Sequence, residues 1–379
     1  MIGGCKVRIY PTKEQEQLIW KHIGACRYIW NWMLDYQQQI HECGGKRLSS
    51  FKMSGVLTSL KHNNEYKWLS EVSASSLQRV CKDLDDAYRS YFDGINDFPK
   101  RKTKKKSKPS YPLRQGYMYF EDTDVHVEKI GKVKYKTDFD IPYGKGFKFS
   151  NPRISNTNGK WILSFGMECE NQVPQLTNKS MGIDLGIKDL AIVAYGDEKI
   201  VFHNINKSKR MRQLTEQVKY TQRAMSRKYE ANKQGNKYVK TNNIIKLEAC
   251  LKKQYARIAN IRLNYIHQTT HILVSKLPCR VVMEDLNVMG MMKNRHLAHA
   301  VQEQNFYEFR RQMQYKCERY GIPFILADRF YPSSKTCSCC GHIKRDLKLS
   351  DRTYVCSECG LTIDRDYNAA INLSKYVSH

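Results

Sequence analysis

Long apolar runs are absent from this sequence, and their absence excludes a membrane-spanning protein. No stretch of the 379 residues approaches the roughly 18 uncharged apolar residues that a transmembrane helix needs. Residues 1–6 do not begin a secretory signal, so we expect a protein of the cytoplasm. With 41% apolar and 11% aromatic residues the chain can bury a core, which excludes a disordered basic tail. Its length predicts two or three domains.

Acidic residues are scarce relative to basic ones. The chain has 37 Asp and Glu residues against 64 Lys and Arg residues, which gives a formal net charge of +27. Such an excess favours a polyanionic partner, and for a folded chain nucleic acid is the first candidate. A basic surface that only keeps the protein soluble is the alternative, but the charge is clustered rather than spread.

Two basic clusters are prominent. The first has seven Lys and Arg residues within nine positions, namely Lys100, Arg101, Lys102, Lys104, Lys105, Lys106 and Lys108. We predict that this run is a solvated loop that does not pack and becomes ordered against phosphates, although a nuclear-localisation signal is a rival interpretation. The second lies at the start of a predicted helical hairpin and comprises Lys207, Lys209, Arg210 and Arg212.

Thirteen cysteines in a chain without a signal indicate reduced thiols rather than disulfides. Four of them form two Cys-x2-Cys pairs with 15 residues between the pairs, namely Cys337, Cys340, Cys356 and Cys359. Two such turns bring their sulfurs into the tetrahedral thiolate site that zinc prefers, and four protein ligands make that zinc structural. Gly341 and Gly360 follow the pairs and suit tight turns. Cys339 could compete as a ligand, but its one-residue offset fits less well.

Hydrophobic patterning divides the chain into three regions. Residues 6–10 predict a strand, Thr12 and Gln15 predict a capping box, and residues 12–96 follow a helical period. Alternation over residues 111–170 predicts a small β-barrel that the first strand joins. From residue 181 onward strands alternate with helices, which predicts an α/β sheet with a helical hairpin hinged over residues 231–242.

Three acidic residues lie on separate elements of this last region. On its predicted strand, Asp184 shares a face with Gly182 and Gly186, which we interpret as room for metal ions and a phosphodiester. Glu284 ends another apolar strand, and Asp285 follows it directly. Adjacent residues on a strand face opposite ways, so only one of these two acids can face the site. Asp364 and Asp366 begin a helix, where only one of the two can share the site.

Three such carboxylates could hold two magnesium ions about 4 Å apart, because hard divalent cations prefer oxygen ligands. One ion would activate a water molecule and the other would stabilise the leaving oxygen of a phosphodiester. For Asp184 alone, a structural ion pair remains an equal alternative.

The motifs together resemble the transposon-encoded TnpB family, whose members resemble compact ancestors of type V CRISPR effector nucleases. The resemblance rests on residues 181–188, residues 284–287, the two Cys-x2-Cys pairs and residues 364–370, in that order along the chain. It covers nearly the whole chain, since residues 6–11 and the helix around Leu77 also look like the family's amino-terminal lobe.

The resemblance implies a multidomain α/β chain with a β-barrel, arranged as two lobes. The implied parts are a helical recognition lobe, an OB-like wedge barrel, an RNase H-like RuvC nuclease domain and an inserted zinc ribbon. The implied boundaries are 1–11 for the first barrel strand, 12–98 for the recognition domain, 99–175 for the barrel, 176–334 for the nuclease domain with its hairpin at about 207–268, 335–361 for the zinc ribbon, and 362–379 for the last nuclease segment.

The resemblance also implies an RNA-guided DNA endonuclease, in which a noncoding RNA from the transposon end pairs with target DNA beside a short target-adjacent motif. By position, Asp184, Glu284 and Asp366 match the catalytic, magnesium-binding carboxylates, and the four cysteines match the zinc ligands. The resemblance also implies that Ser76 and Gln78 read the adjacent motif, and that the two basic clusters match regions that bind RNA and heteroduplex phosphates.

The family further suggests one protein chain per RNA, in the nucleoid of a prokaryotic host. Two alternatives are a guide-directed repressor that does not cut and an RNase H-like transposase. The complete acid set argues against the repressor, and the placement of the zinc ribbon favours the nuclease over the transposase.

Overall fold

The computed structural model of the protein describes residues 2–144, 146–168, 174–348 and 351–377. Two compact units make up the chain, Met1–Glu170 and Asn171–His379. Both contain helices and strands, so the predicted mixed α/β, multidomain architecture is confirmed. None of the helices in the described ranges is long and apolar enough to cross a membrane.

The first unit combines a helical segment with an antiparallel sheet. Its elements are β1 (Ile2–Tyr10), α1 (Lys13–Glu42), α2 (Ser50–His62), a 3-10 helix (Asn64–Glu71), α3 (Ala74–Phe92), β2 (Ser110–Pro112), β3 (Tyr119–Phe120), β4 (Asp124–Val127), β5 (Gly131–Lys136), β6 (Ser150–Thr157) and β7 (Lys160–Glu168). A capping box between Thr12 and Gln15 starts α1, as the sequence predicts. Apolar residues of α1, α3 and β1 share one core, which fixes the helices against the sheet.

The sheet of the first unit has the strand order β2-β6-β7-β1-β5-β4-β3. The first strand joins it between β7 and β5, as expected from the sequence. Among the described residues the two end strands, β2 and β3, are not paired with each other, so this sheet does not close on itself.

The second unit is built around a five-stranded sheet. Its elements are β8 (Ser180–Leu185), β9 (Asp189–Tyr195), β10 (Glu198–His203), a 3-10 turn (Ile205–Lys207), α4 (Lys209–Ala231), β11 (Lys233–Gln234), β12 (Lys237–Tyr238), α5 (Asn242–Ser275), β13 (Arg280–Glu284), α6 (Val288–Lys293), α7 (Ala298–Gln304), α8 (Phe306–Arg319), β14 (Phe324–Ala327), β15 (Thr353–Val355), β16 (Thr362–Asp364) and α9 (Arg365–Lys375).

The order of the five strands, β10-β9-β8-β13-β14, brings together strands that are far apart in sequence. β13 runs parallel to both β8 and β14, whereas β9 and β10 are antiparallel. The helical pair α4 and α5 is joined by the small ribbon of β11 and β12, at the position of the predicted hinge. The carboxyl ends of β8 and β13 therefore lie side by side, and this is where the candidate site forms.

Gly182 has a different role from the one that the sequence suggested. A Cβ atom there would lie 2.0 Å from the carbonyl oxygen of Ala370 and 2.3 Å from the backbone nitrogen of Ser374, both in α9. The missing side chain thus makes room for the backbone of α9, not for metal ions or DNA. Because α9 carries Asp366, this close packing brings the third carboxylate to the sheet.

We expect Gly182→Ala to destabilise the second unit by about 3 kcal/mol. The added methyl group meets backbone atoms of α9, which cannot rotate away as a flexible side chain could. Thermal or urea unfolding measures this loss. Gly55→Ala is the matched control, since no heavy atom lies within 4 Å of a Cβ at that helical position, and it should be neutral or slightly stabilising. A Gly182→Ala protein as stable as the wild type would show that α9 does not pack on β8 as described.

Candidate active site and zinc centre

The structure brings the three predicted carboxylates to one cavity. Met283 pairs with Ile183 across the parallel strands, so the next residues, Glu284 and Asp184, lie at equivalent positions on β13 and β8. Asp366 comes from the first turn of α9, which packs on β8. All three side chains line a cavity of about 370 Å³ in the second unit.

The environment of Asp184 and Glu284 disfavours their charged forms. Burial raises the pKa of the Asp184 carboxyl well above its usual range, and the nearby charges of Glu284 and Asp366 raise it further. Burial also raises the pKa of Glu284. The hydrogen bond from Ser333 lowers this pKa and the charge of Asp366 raises it, and the net shift is upward. Such carboxylates are costly to ionise together unless a cation joins them.

Neighbouring polar groups hold two of the carboxylates in place. The Ser333 hydroxyl donates a hydrogen bond to Glu284 Oε1. The Arg365 guanidinium donates to Asp366 Oδ1 at 3.0 Å through one terminal nitrogen and at 3.2 Å through Nε. The carboxylates border one cavity but are not tightly clustered, since within the described residues only the four cysteines bring three or more ligand atoms within 4.8 Å of one another.

Asp285 and Asp364, the acidic residues close in sequence to Glu284 and Asp366, bind other groups. Asp285 accepts hydrogen bonds from Arg310 at 2.7 Å and from Arg329 at 2.6 Å, away from the carboxylate cavity. Asp364 caps α9, because its Oδ1 accepts the backbone N–H of Tyr367 at 2.9 Å. These contacts agree with the expectation that only one residue of each pair faces the site.

Several basic side chains at the cavity were not predicted as site residues. The cavity is lined by Lys188, Lys335, Lys348, Arg352 and Arg365 in addition to the three acids. They come from separate loops and from α9, and none belongs to a dense basic run, so composition gave no sign of them. Their positive charges suit an anionic substrate beside the carboxylates.

The zinc ligands predicted from the sequence converge. The sulfurs of Cys337 and Cys359 are 3.6 Å apart, as are those of Cys340 and Cys356, and all four lie within 4.8 Å of one another. Tetrahedral zinc with Zn–S bonds of about 2.3 Å places its sulfurs about 3.8 Å apart, so this group could hold zinc. Cys339 is exposed and outside the group, which removes it as a competing ligand.

Both cysteine turns have the predicted backbone. Gly341 has φ +77° and Gly360 has φ +71°, the left-handed conformation that favours glycine. Their N–H groups donate to the carbonyls of Cys337 and Cys356, which closes each turn. The Tyr354 side chain is fully buried against the cluster.

The four-cysteine cluster is physically joined to the carboxylate cavity. Asn368 of α9 is buried, and its amide donates to the Thr336 carbonyl at 2.7 Å and accepts the Ser338 N–H at 3.0 Å, on either side of Cys337. Asn372 donates to the carbonyls of Ser333 and Thr336. One loop therefore carries the first zinc ligand and Ser333, and it is held by the helix that carries Asp366.

The basic run in the first unit is more ordered than predicted. Trp30 Nε1 donates to the Lys100 carbonyl at 3.0 Å, and Arg101 forms an ion pair with Asp35. The Lys102 ammonium lies 3.3 Å from the centre of the Trp30 ring, and burial lowers its pKa to about 8. The expectation of a wholly solvated loop is therefore wrong for its first residues, because an aromatic ring and an acid of α1 bind them.

The remaining lysines of the run, Lys104, Lys105, Lys106 and Lys108, are exposed. The four basic residues at the start of the hairpin, Lys207, Lys209, Arg210 and Arg212, are exposed as well. These eight side chains are placed where a polyanion could contact them.

A cavity of about 490 Å³ in the first unit lies beside the predicted readers of DNA. Gln78 lines it together with the basic side chains Arg79, Lys82, Arg114 and Arg153. Ser76 instead is fully buried, and among the described atoms its hydroxyl has no hydrogen-bond partner. The structure therefore places Gln78 at a surface that could bind a ligand, but Ser76 in the interior.

Three family models match parts of the chain. A model described as a helix-turn-helix domain matches residues 1–46, and one described as a probable transposase matches residues 164–295. A model described as the Cas12f1-like TNB domain matches residues 306–373, which include the four cysteines and Asp366.

Curated relatives match almost the whole chain. Two bacterial relatives are named "Putative RNA-guided DNA endonuclease". The one from Streptomyces pristinaespiralis is 29% identical, and the match covers 97% of this chain and 87% of that protein. The other, InsQ from Escherichia coli (strain K12), is also 29% identical, and the match covers 97% of this chain and 90% of that protein. The TnpB-like protein L770 of Acanthamoeba polyphaga mimivirus is 24% identical over 99% of this chain and 73% of its own.

Among solved structures, the fold is similar to the protein in the cryo-EM structure of a Cas12f1-sgRNA-target DNA complex. The TM-score is 0.60 at 14% identity, and the match covers 99% of this chain and 98% of the other. At this identity the similarity concerns the fold.

Proposed function

We propose that this chain is a member of the TnpB family and the RNA-guided DNA endonuclease of a transposon. In the proposed reaction a noncoding guide RNA pairs with target DNA, and the second unit hydrolyses phosphodiester bonds of that DNA. The observation that carries the proposal is the convergence of Asp184, Glu284 and Asp366, from three different elements, on one cavity with basic walls.

The donor set at this cavity fits magnesium. Carboxylate oxygens are hard ligands, and the raised pKa values of Asp184 and Glu284 describe acids whose joint ionisation needs a compensating cation. Asp184, Glu284 and Asp366 would hold the ions. When bound, magnesium would supply Lewis-acid chemistry, which makes water more acidic and neutralises charge on a phosphodiester.

The chain's own residues would orient the acids and the substrate. Ser333 fixes the rotamer of Glu284, and Arg365 fixes that of Asp366. Lys188, Lys335 and Arg352, on the wall of the same cavity, would bind phosphate oxygens and hold the strand against the carboxylates. The side chains of the cavity thus divide into a group that holds cations and a group that holds the anionic backbone.

The first unit would read the duplex beside the target. Its cavity of about 490 Å³ presents Gln78 together with Arg79 and Arg114, which combine hydrogen-bonding groups for base edges with positive charge for phosphates. Guide pairing would supply the remaining sequence specificity. We place the protein, with one chain per RNA, in the nucleoid of a prokaryotic host.

Charge removal tests the basic run. Replacing Lys104, Lys105 and Lys106 with alanine should weaken guide-RNA binding and reduce the slope of log K against log salt by about 2, since each contact to a single strand contributes about 0.7. Binding titrations over a range of salt concentrations measure this slope. Lys102→Met is the matched control, because Lys102 contacts Trp30, and it should leave the slope unchanged. A triple variant with the wild-type slope would make the three lysines a passive surface.

The direct test of the proposal is to sequence the RNA that copurifies with the protein when it is expressed with its native flanking DNA. A single discrete RNA with a variable 3′ end supports a guided protein, and heterogeneous host RNA would favour the transposase. If the discrete RNA is present but the complex binds its matching DNA without cutting it, the guide-directed repressor becomes the better interpretation.

A further inference from the structure

Three strongly exposed apolar side chains lie near the carboxylate cavity. Phe330 is 88% exposed, Met289 82% and Tyr307 71%. Single exposed apolar residues are common on protein surfaces, but large ones grouped at a cleft mark binding sites. Met289 and Tyr307 line one cavity of about 230 Å³, and Phe330 lines a second of about 420 Å³.

These cavities adjoin one another and the carboxylate cavity. Asp285, Arg310 and Arg329 line both the 230 Å³ and the 420 Å³ cavities. Leu185 and Glu284 line both the 230 Å³ cavity and the carboxylate cavity. We call the surface formed by Met289, Tyr307, Arg310, Arg329 and Phe330 the aromatic groove. It leads from Glu284 along the carboxyl ends of β13 and β14.

Phe330 is held in its exposed position by its own turn. Its N–H donates to Asp328 Oδ1 at 2.8 Å, and the N–H of Tyr331 donates to the Asp328 carbonyl at 3.0 Å. The Tyr331 ring packs edge-on against Tyr376, with centroids 4.9 Å apart. The backbone that carries Phe330 is thus braced, so the loop itself loses little freedom when a flat ligand stacks on the ring.

Two arginines lie along the aromatic groove. Arg310 and Arg329 both bind the carboxylate of Asp285, and the carboxylates of Asp328 and Glu284 line the same cavities. Both guanidinium groups remain partly exposed and are fixed by their ion pairs. A ligand that offers a flat ring face to Phe330 and phosphate oxygens to the exposed parts of these guanidinium groups matches this combination.

We propose that the aromatic groove binds an unpaired base of single-stranded DNA next to the phosphate that is cut, with Phe330 as its stacking surface and Arg310 and Arg329 beside the backbone. Only an unpaired base offers its face to an exposed ring, because the faces are covered in a duplex. The groove adjoins Glu284, so a strand held there is positioned for the carboxylate cavity. This inference rests on the proposed function and adds positioning residues to it.

The test compares three changes at Phe330 in the full chain with its guide RNA. Phe330→Leu keeps an apolar side chain but loses the ring face, whereas Phe330→Trp keeps the face. We expect Phe330→Leu to slow DNA cleavage by roughly 10- to 100-fold and Phe330→Trp to stay near the wild-type rate. Phe330→Ala should behave like Phe330→Leu. Because the side chain is exposed, none of these changes should alter the melting temperature.

A binding measurement separates this inference from the proposed function. In the Asp184→Asn background, target DNA with 2-aminopurine beside the cut position should show fluorescence quenching that Phe330→Leu abolishes and Phe330→Trp retains. Equal cleavage and equal quenching for Phe330→Leu and wild type would overturn the base site while guided cutting stands. If Phe330→Trp were as slow as Phe330→Leu, stacking would be refuted as well. Loss of guided cutting in the wild type itself would refute the proposed function instead.

Discussion

Asp184→Asn should abolish DNA cleavage and at the same time stabilise the protein. Cleavage should fall by at least about 10³-fold, the scale on which single groups act in other hydrolases, because an amide cannot replace a buried anionic ligand. In buffer without added magnesium, with zinc retained, the melting temperature should rise by about 2–4 °C, which corresponds to about 1 kcal/mol in a unit of this size. Guide-RNA and target-DNA binding should remain.

The stabilisation by Asp184→Asn should increase with pH. The folded-state pKa of Asp184 is raised, so the wild type loses stability as the pH rises through that pKa, whereas the asparagine variant does not titrate. The difference in melting temperature should therefore be larger at pH 8 than at pH 5. A constant difference would contradict the buried, ionisable environment described for this carboxyl.

Asp364→Asn is the matched control for the acid assignment. Asparagine caps helices as well as aspartate does, so α9 should keep its start and cleavage should remain close to the wild-type rate. Asp366→Asn should abolish cleavage, as Asp184→Asn does. If Asp364→Asn lost cleavage and Asp366→Asn did not, the third carboxylate would have been assigned to the wrong residue.

Cys356→Ser should abolish zinc binding, disorder the C-terminal segment and reduce DNA cleavage. Structural zinc sites supply folding free energy directly, so the segment that includes β15 and β16 should lose its thermal protection. Cleavage should drop by at least about 100-fold, because β16 leads directly into α9 and Asn368 ties that helix to the loop of Cys337 and Ser333. Metal analysis and a cleavage assay measure the two effects.

Cys339→Ser, in the same turn, is the control for the zinc centre. Its sulfur is exposed and outside the ligand group, so zinc content, stability and cleavage should all match the wild type. Zinc loss in Cys339→Ser, or unchanged zinc stoichiometry in Cys356→Ser, would contradict the ligand assignment. Zinc loss with normal cleavage would retain the ligands but refute the coupling through Asn368.

Local patterns predicted those parts of the fold that depend on nearest neighbours. The Thr12 capping box, the cysteine spacing and the alternation of apolar residues each act within a few positions. The glycine turns at Gly341 and Gly360 are of the same kind. Strand and helix patterns also indicated the acidic positions, and the family resemblance then selected Asp366 over Asp364 as the third site acid.

Other features depend on partners distant in sequence and were misread or missed. Gly182 was interpreted as space for substrate, but its neighbour is the backbone of α9, nearly 190 residues later in the chain. The first residues of the basic run were expected to be solvated, yet Trp30 and Asp35 of α1 bind them. The basic wall of the carboxylate cavity comes from scattered residues, so only the folded chain brings it together.

The measurement that tests the central claim most directly is cleavage of two plasmids by the purified complex of the protein with its copurified RNA. The plasmids share the target-adjacent motif and differ only in whether the neighbouring sequence matches the guide. The account predicts that magnesium-dependent cleavage occurs in the matched plasmid alone and disappears with Asp184→Asn. Cleavage of both plasmids, or of neither, would contradict an RNA-guided endonuclease.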